Sequence, residues 1–276
     1  MRGAESLSDA TEPEGGTLFY VYGIVPPGMD ATGAPAGIER AAVSLVGTPS
    51  LAALVSRLDA QAYSPELIEE RVGDVEWLAP RAEAHDAVVS WAGHPGPVVP
   101  LHMWAMFSGR DAVLAMLETR APELVPLLER LRGADEYGLR VYADPPGLER
   151  IAAGNDASVA ELERTAASAG PGQRYLIERK LEGARRDAAR SFAASRADAI
   201  HATLAAQSVA AARDAIPTAA SDGSAVLSAA FLVRRDGLDA FRAALTALVR
   251  ETESEGFRFA FTGPWPPYHF AAGNGT

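Results

Sequence analysis

The C-terminal run Thr262–Phe270 contains three prolines and directly follows an alternating strand pattern at 257–261. Because proline fixes φ and lacks a backbone donor, this run is not expected to continue a sheet ladder or a helix interior. It is predicted to be a stiff extended strap that projects Trp265, Tyr268 and Phe270. Two roles of the strap remain open. It seals the protein's own core, in which case Trp265 is buried, or it recognises a partner.

Composition limits the classes of protein that this chain can belong to. Its 276 residues are enough for one large or two ordinary domains, and 48% of them are hydrophobic. No stretch approaches ~18 consecutive apolar residues, so no transmembrane helix is expected. The acidic N-terminus has no apolar region of the kind found in secretory signals. The chain has no cysteine, which excludes disulfides and thiolate chemistry.

The formal net charge of −11 argues against nucleic acid and anionic membranes as partners, because both attract basic surfaces. The acidic N-terminus without a secretory signal and the absence of cysteine lead us to expect a cytoplasmic protein. Lys180 is the only lysine, and the other basic residues are arginines.

The N-terminal part of the chain alternates between strand and helix patterns. Leu18–Val25 is apolar on both faces, and residues 43–58 predict a hairpin around a Gly-Thr-Pro-Ser turn. Helical spacing begins near Pro80, and another helix is expected to begin at Ser108, whose hydroxyl would cap it. The alternating residues 137–142 predict a strand that closes the first unit.

Less regular features separate these elements. A short strand is expected at 97–101, and Pro122 and Pro126 are expected to break or kink the helical region before Gly133. The resulting order of strand, hairpin, helix, strand, helix and strand is an α+β arrangement with split βαβ character.

The C-terminal part contains the longest helical pattern, from Gln173 to about residue 215. Its alanine-rich seam allows close approach of another helix, as in a hairpin with a turn near 195–198, or simple packing on its own sheet. A strand at 226–233 and a helix capped by Asp236 follow. Phe257, Phe259 and Phe261 then share one face of the last strand and are predicted to be core residues.

The sequence contains almost no signal of catalytic chemistry. No phosphate-binding loop, nucleophile elbow or zinc-binding helix motif is present. His85 lies on an apolar helix stripe and is interpreted as a core histidine rather than a ligand. His102 and Trp104 stand beside the short strand at 97–101, where a small-ligand or enzymatic pocket is the alternative function. No catalytic residue, cofactor or metal is predicted.

Several segments together resemble one family. Residues 20–25, 98–101, 136–141, 170–176 and the strap resemble the corresponding segments of the GvpF/GvpL gas vesicle proteins. The most specific of these are Gly-Pro-Gly followed by Tyr-Leu at 170–176, and Thr-Gly-Pro-Trp-Pro-Pro-Tyr in the strap. One departure is the segment 102–105, where the family's arginine-phenylalanine-glycine-threonine is replaced by His-Met-Trp-Ala.

The resemblance implies a cytoplasmic gas vesicle protein, either an assembly factor or a minor shell component. It implies binding to the hydrophobic shell protein GvpA and to other gas vesicle accessory proteins. It also implies a modified ferredoxin-like N-terminal domain and a C-terminal domain with long helices and a small sheet. A generic helical interaction protein is a third possible function. Trp265, Tyr268, Phe270, His102 and Trp104 are the candidate interaction or structural residues.

The predicted organisation has five parts along the chain. They are a disordered acidic N-terminus (1–16), an α+β ferredoxin-like domain (17–143), a loose connection (144–172), a C-terminal α+β domain (173–270) and a flexible tail (271–276).

Overall fold

The fold is taken from a computed structural model, which describes residues 16–216 and 225–271. Contacts divide the chain into two units. Unit 1 comprises Met1–Arg132 and Pro266–Thr276, and unit 2 comprises Gly133–Trp265. The predicted disorder of residues 1–15 and the predicted flexibility of residues 272–276 lie outside the described residues. None of the described helices has the length and hydropathy needed to cross a bilayer.

Unit 1 is a sheet with helices, as the α+β prediction requires. Its elements are β1 (Thr17–Val25), β2 (Ser44–Gly47), β3 (Ala52–Asp59), α1 (Pro65–Arg71), α2 (Val75–Gly93), β4 (Val99–Pro100), β5 (Met106–Phe107), α3 (Arg110–Leu131) and α8 (Tyr268–Ala271).

The unit 1 sheet is antiparallel in the order β2-β3-β1-β4, and β5 also pairs with β1. The hairpin predicted at 43–58 is confirmed by the pairing of β2 with β3. The predicted strand at 18–25 is confirmed as β1, which pairs with β3 along its length and is buried from Tyr20 to Val25.

A chain of buried hydrogen bonds anchors the loop before β2 to this sheet. The Tyr22 hydroxyl accepts from the Ile38 N–H at 2.9 Å and donates to Ser56 Oγ at 3.0 Å. Ser56 donates onward to the Ala42 carbonyl at 3.1 Å. A Cβ at Gly37 would lie 2.0 Å from the Tyr22 hydroxyl, so this position has room only for glycine.

Two helix starts in unit 1 differ from the predictions. Helix α2 begins five residues before Pro80, because the Asp74 carboxylate accepts the N–H groups of Glu76 and Trp77 and caps it there. Helix α3 begins after Gly109 without a side-chain cap, so the predicted role of Ser108 was wrong. Helix α3 continues through Pro122 and Pro126, so these prolines do not break it.

Unit 2 has its own sheet and the longest of the described helices. Its elements are β6 (Ala134–Ala143), α4 (Pro145–Asn155), α5 (Ala157–Ser168), α6 (Pro171–Ala205), β7 (Ala210–Arg213), β8 (Ala225–Arg234), α7 (Leu238–Thr252) and β9 (Phe257–Trp265).

The unit 2 sheet is antiparallel in the order β7-β8-β6-β9. Strand β6 is the predicted strand at 137–142, but its assignment to the N-terminal domain was wrong, because it pairs with β8 and β9. The division therefore falls at Gly133 rather than after residue 143. Gly133 has a φ of +66°, and its carbonyl accepts the Arg235 N–H at 2.9 Å.

The predicted connection at 144–172 is instead occupied by α4 and α5. Asp144 and Asp156 cap these helices with their carboxylates, and proline at the first turn of α4 favours its start. Helix α6 packs against both, and Arg185 of α6 pairs with Glu163 of α5 at 2.7 Å. The alanine seam is confirmed, although α6 has no internal turn and ends before β7.

Helix α7 lacks the predicted cap, whereas the phenylalanines of β9 occupy the predicted core. Asp236 forms an ion pair with Arg234 and does not cap α7. The residue at the N-cap position of α7 is Gly237, and no side chain caps the helix there. The phenylalanines at 257, 259 and 261 belong to the hydrophobic core of the unit, as predicted.

Strand β9 continues into the strap, contrary to the prediction from its prolines. Its register with β6 shifts between Glu136 and Gly138, and pairing resumes at Trp265. Gly263 allows this bulge, because its φ is +114° and a Cβ there would lie 2.9 Å from the Glu136 carbonyl oxygen. Proline is tolerated at such a position, since β9 is an edge strand and Pro264 lies at the bulge.

Replacing Tyr22 with phenylalanine is expected to destabilise unit 1 by about 1–3 kcal/mol, because the Ile38 N–H would remain buried without its acceptor. Denaturant unfolding would measure this loss. The matched change Tyr175→Phe removes an exposed hydroxyl and should leave the unfolding free energy unchanged. Equal stability of the two variants would contradict the structural role of the Tyr22 hydroxyl.

Candidate interaction site

Unit 1 contains a continuous cluster of aromatic rings between its sheet and α2. Neighbouring ring centroids lie 4.8–6.4 Å apart. The members are Tyr20 and Tyr22 of β1, Tyr63 before α1, Trp77 and His85 of α2, Trp104 of the β4–β5 connection and Tyr268 of α8.

Trp104 and Trp77 form the half-buried part of this cluster. Their rings stack at 5.3 Å with an interplanar angle of 20°. The Arg81 guanidinium lies 4.3 Å from the centroid of the Trp77 ring, where a cation is attracted by the π face. This arrangement presents two large apolar rings that are held in fixed positions.

Arg81 is itself neutralised and oriented by two further groups. It forms an ion pair with Glu39, and its Nε–H donates to the Tyr63 hydroxyl at 3.0 Å. Tyr63 in turn donates to Glu39 Oε1 at 2.8 Å. Burial, with the hydrogen bond to Glu39, raises the pKa of Tyr63 to about 12. These contacts leave the tryptophan face without an unpaired cation.

The segment that carries Trp104 is fixed to β1 on both sides. The Leu101 N–H donates to the Tyr22 carbonyl at 3.0 Å, and the Val21 N–H donates to the Ala105 carbonyl at 2.8 Å. Trp104 has a φ of +72°, a left-handed conformation that bulky residues rarely adopt. Its ring contacts are therefore maintained despite an unfavourable backbone conformation.

His85 is a buried core histidine, as predicted. Its Nδ1 is 2.7 Å from the Tyr20 hydroxyl, and its ring faces those of Tyr22 and Tyr268. Burial lowers the pKa of His85 to about 4, against an opposing effect of the Leu101 carbonyl. The imidazole is therefore neutral near pH 7 and contributes no charge to the site.

The predicted candidate residues have different environments. Trp104 and Tyr268 both pack against the unit 1 core, and Phe270 is buried in the same unit. His102 is exposed, so it does not point into a buried pocket. Trp265 is 49% exposed, which contradicts its predicted burial. Its indole N–H donates to Thr262 Oγ1 at 3.2 Å.

Sequence patterns alone did not indicate that Trp77, Arg81 and Tyr63 form part of a site. A usable signal was present, since Trp77 and Arg81 are four residues apart and face the same side of a helix. Tyr63 has no such local signal, because its contacts depend on the tertiary fold. Within residues 16–216 and 225–271, no group of three His, Asp or Glu side chains is arranged to hold a metal ion.

Comparison with known proteins identifies the class. Residues 18–272 match the sequence profile of the gas vesicle synthesis protein GvpL/GvpF family. The chain therefore belongs to the GvpL/GvpF family of gas vesicle proteins, as its motifs predicted.

Individual relatives agree with this assignment. The chain is 31% identical to gas vesicle protein L of a Streptomyces species, over 92% of each chain. It is also 31% identical to gas vesicle protein F of the same Streptomyces strain, over 91% of this chain and 98% of that protein. Gas vesicle protein L2 of Halobacterium salinarum is 26% identical, over 98% of this chain and 96% of that protein.

Solved structures show the same fold. The crystal structure of GvpF from Anabaena sp. PCC7120 matches with a TM-score of 0.72 and 17% identity, covering 94% of this chain and all (100%) of that chain. GvpF from Microcystis aeruginosa matches with a TM-score of 0.66 and 16% identity, covering 92% of this chain and 99% of that chain. The predicted α+β class with two domains is thereby confirmed.

The strap residues differ in the stability that they are expected to provide. Phe270→Ala should destabilise the protein by ~3–5 kcal/mol, because it removes a buried aromatic ring. Trp265→Ala should cost less, at most about 2–3 kcal/mol, since half of that side chain already contacts solvent. Chemical unfolding of both variants tests this order, and an equal or larger loss for Trp265→Ala would contradict it.

The buried histidine predicts a pH dependence of stability. The folded-state pKa of His85, about 4, lies below its ordinary value of 6.5, so the unfolded chain binds more protons between these pH values. The free energy of unfolding should therefore fall as pH decreases through this window, by up to ~1.4 kcal/mol per pH unit from this residue. Above pH 6.5, the contribution of His85 to the free energy of unfolding is fully retained. The groups facing His85 are the Tyr20, Tyr22 and Tyr268 rings, and His102 adds a minor repulsion.

Unfolding titrations of His85→Gln and of the exposed control His94→Gln would isolate this contribution. The His85 variant should lose part of the slope between pH 4 and 6.5, while the His94 variant keeps it. Parallel curves for His85→Gln and the parent would show that His85 is not buried in its neutral form.

Proposed function

We propose that this chain is an accessory protein of gas vesicle assembly, or a minor component of the shell, that binds the hydrophobic shell protein GvpA. It would act in the cytoplasm and at the gas vesicle, together with other accessory proteins. The observation that carries this proposal is the family match across residues 18–272. The names of the relatives support gas vesicle function at the level of the family.

The stacked pair Trp77 and Trp104 is the proposed contact for an apolar partner. Large aromatic side chains provide much apolar contact area at a small cost in side-chain entropy. Because Arg81 is already paired with Glu39, an apolar partner could approach the two rings without leaving a bare cation. The net charge of −11 would keep such a complex soluble.

An enzymatic role has little support from the side chains of the site. The histidine in the aromatic cluster is buried and has a lowered pKa because of that burial. The alternative of a small-ligand pocket depended on His102, which is exposed. We therefore infer a binding role and assign no catalytic residue or cofactor.

Co-expression with GvpA provides the direct test. GvpA should co-purify with the parent chain and remain in the soluble fraction. Trp104→Ala should weaken this association by roughly tenfold or more, as expected for a tryptophan at the centre of a contact. Trp91→Ala is the matched control, since Trp91 is another half-buried tryptophan of unit 1.

Thermal melts of both variants separate lost binding from lost folding. A Trp104 variant that melts like the Trp91 variant but no longer retains GvpA would support the contact. GvpA that neither co-purifies with the parent chain nor gains solubility from it would overturn the proposed function.

A further inference from the structure

The first turns of α6 carry exposed apolar residues that the fold does not use. Tyr175 and Leu176 are 64% and 61% exposed, whereas the next residue, Ile177, is buried. They belong to the Gly-Pro-Gly…Tyr-Leu segment, one of the specific motifs of the sequence. Intramolecular packing therefore does not account for them.

This part of α6 is also basic. Arg179 and Lys180 follow Tyr175 and Leu176 at intervals of four, so the four side chains form one face of the helix. Within the part of the chain that the structure describes, neither cation forms an ion pair. Glu178 is the only acidic residue from Gln173 to Lys180. We call this face the α6 patch.

The turn between α1 and α2 has the opposite character. Every residue from Glu69 to Glu76 is exposed, including Val72 and Val75 at 47% and 73%. The carboxylates of this stretch are those of Glu69, Glu70, Asp74 and Glu76, and Arg71 is its only cation. We call this stretch the acidic corner.

The side chains of the acidic corner are largely unused within the chain. The Asp74 carboxylate accepts N–H groups at the start of α2. Among the described residues, Glu69, Glu70 and Glu76 form no ion pair. Their charges therefore remain available to an external cation.

We propose that the α6 patch of one copy of this chain binds the acidic corner of a second copy. Each surface combines two exposed apolar side chains with unneutralised charge, and the charges are opposite in sign. Apolar contact between Tyr175, Leu176 and the two valines would be framed by pairs of Arg179 and Lys180 with the glutamates. Such charge complementarity selects the partner and accelerates the encounter. This self-association does not depend on what the protein binds in the vesicle.

Sedimentation equilibrium of the full chain tests the proposal. Each contact is small, so we expect a dissociation constant on the order of 100 μM. The weight-average mass should rise above the 29.0 kDa of one chain as concentration increases. It should return toward that value when salt is raised from about 0.05 M to about 0.5 M. A mass of one chain up to about 1 mM in low salt overturns the proposal.

Charge reversal identifies the surfaces. The double variants Arg179→Glu/Lys180→Glu and Glu69→Lys/Glu70→Lys should each weaken self-association by about tenfold or more. An equimolar mixture of the two should associate again, because each altered surface finds its complement on the other variant. Arg110→Glu/Arg130→Glu is the control, since it makes the same change in net charge as the first variant at exposed residues of α3. A mixture that stays monomeric, or a control that is equally impaired, would overturn the assignment.

Two further measurements separate this contact from a general charge effect. Tyr175→Ser/Leu176→Ser leaves the net charge unchanged and should also weaken association, with a normal thermal melt. Carbodiimide coupling joins amines to carboxylates, and Lys180 is the only lysine of the chain. In a mixture of unlabelled and ¹⁵N-labelled protein, Lys180 should be linked to a carboxylate of the acidic corner of the other copy. Links from Lys180 only within one copy, or only to other carboxylates, would contradict the contact.

Discussion

The pairing of β6 with strands on both of its edges is the constraint on which unit 2 depends. Its partners β8 and β9 come from far later in the chain, so their pairing joins distant segments. The helices α4, α5 and α6 form an insertion between β6 and β8, and their apolar faces cover the sheet and one another. What the sequence suggested as a loose connection is therefore part of a packed domain.

Local patterns predicted the elements better than they predicted the partners of those elements. The hairpin of β2 and β3, the alanine seam of α6 and the phenylalanines of β9 follow from residue spacing alone. The alternating residues of β6 indicate a strand equally well in either unit, which is why the domain boundary was misplaced. Asp144 and Asp156 were readable helix caps, but the glycines and prolines around them favoured a loop interpretation.

The candidate site shows the same limit at the level of side chains. Stacking of Trp104 on Trp77 depends on a left-handed backbone at Trp104, which no propensity predicts for tryptophan. The prolines of the strap predicted that strand pairing would end before them. Pairing instead resumes at Trp265, because a bulge at Gly263 accommodates the change of register. Trp265 consequently ends in a half-exposed position, contrary to its predicted burial, whereas Phe270 of the same strap is buried.

The two exposed surfaces differ in the force that would hold a partner. At the tryptophan pair, the cation of Arg81 is already satisfied by Glu39 and Tyr63, so contact there would rest on apolar burial and depend weakly on salt. At the α6 patch, Arg179 and Lys180 are unneutralised, so a contact there would weaken as salt screens it. The two proposed contacts therefore use different residues, namely Trp77 and Trp104 for the apolar shell protein and Tyr175–Lys180 for the acidic corner of a second copy, and salt would weaken mainly the second contact.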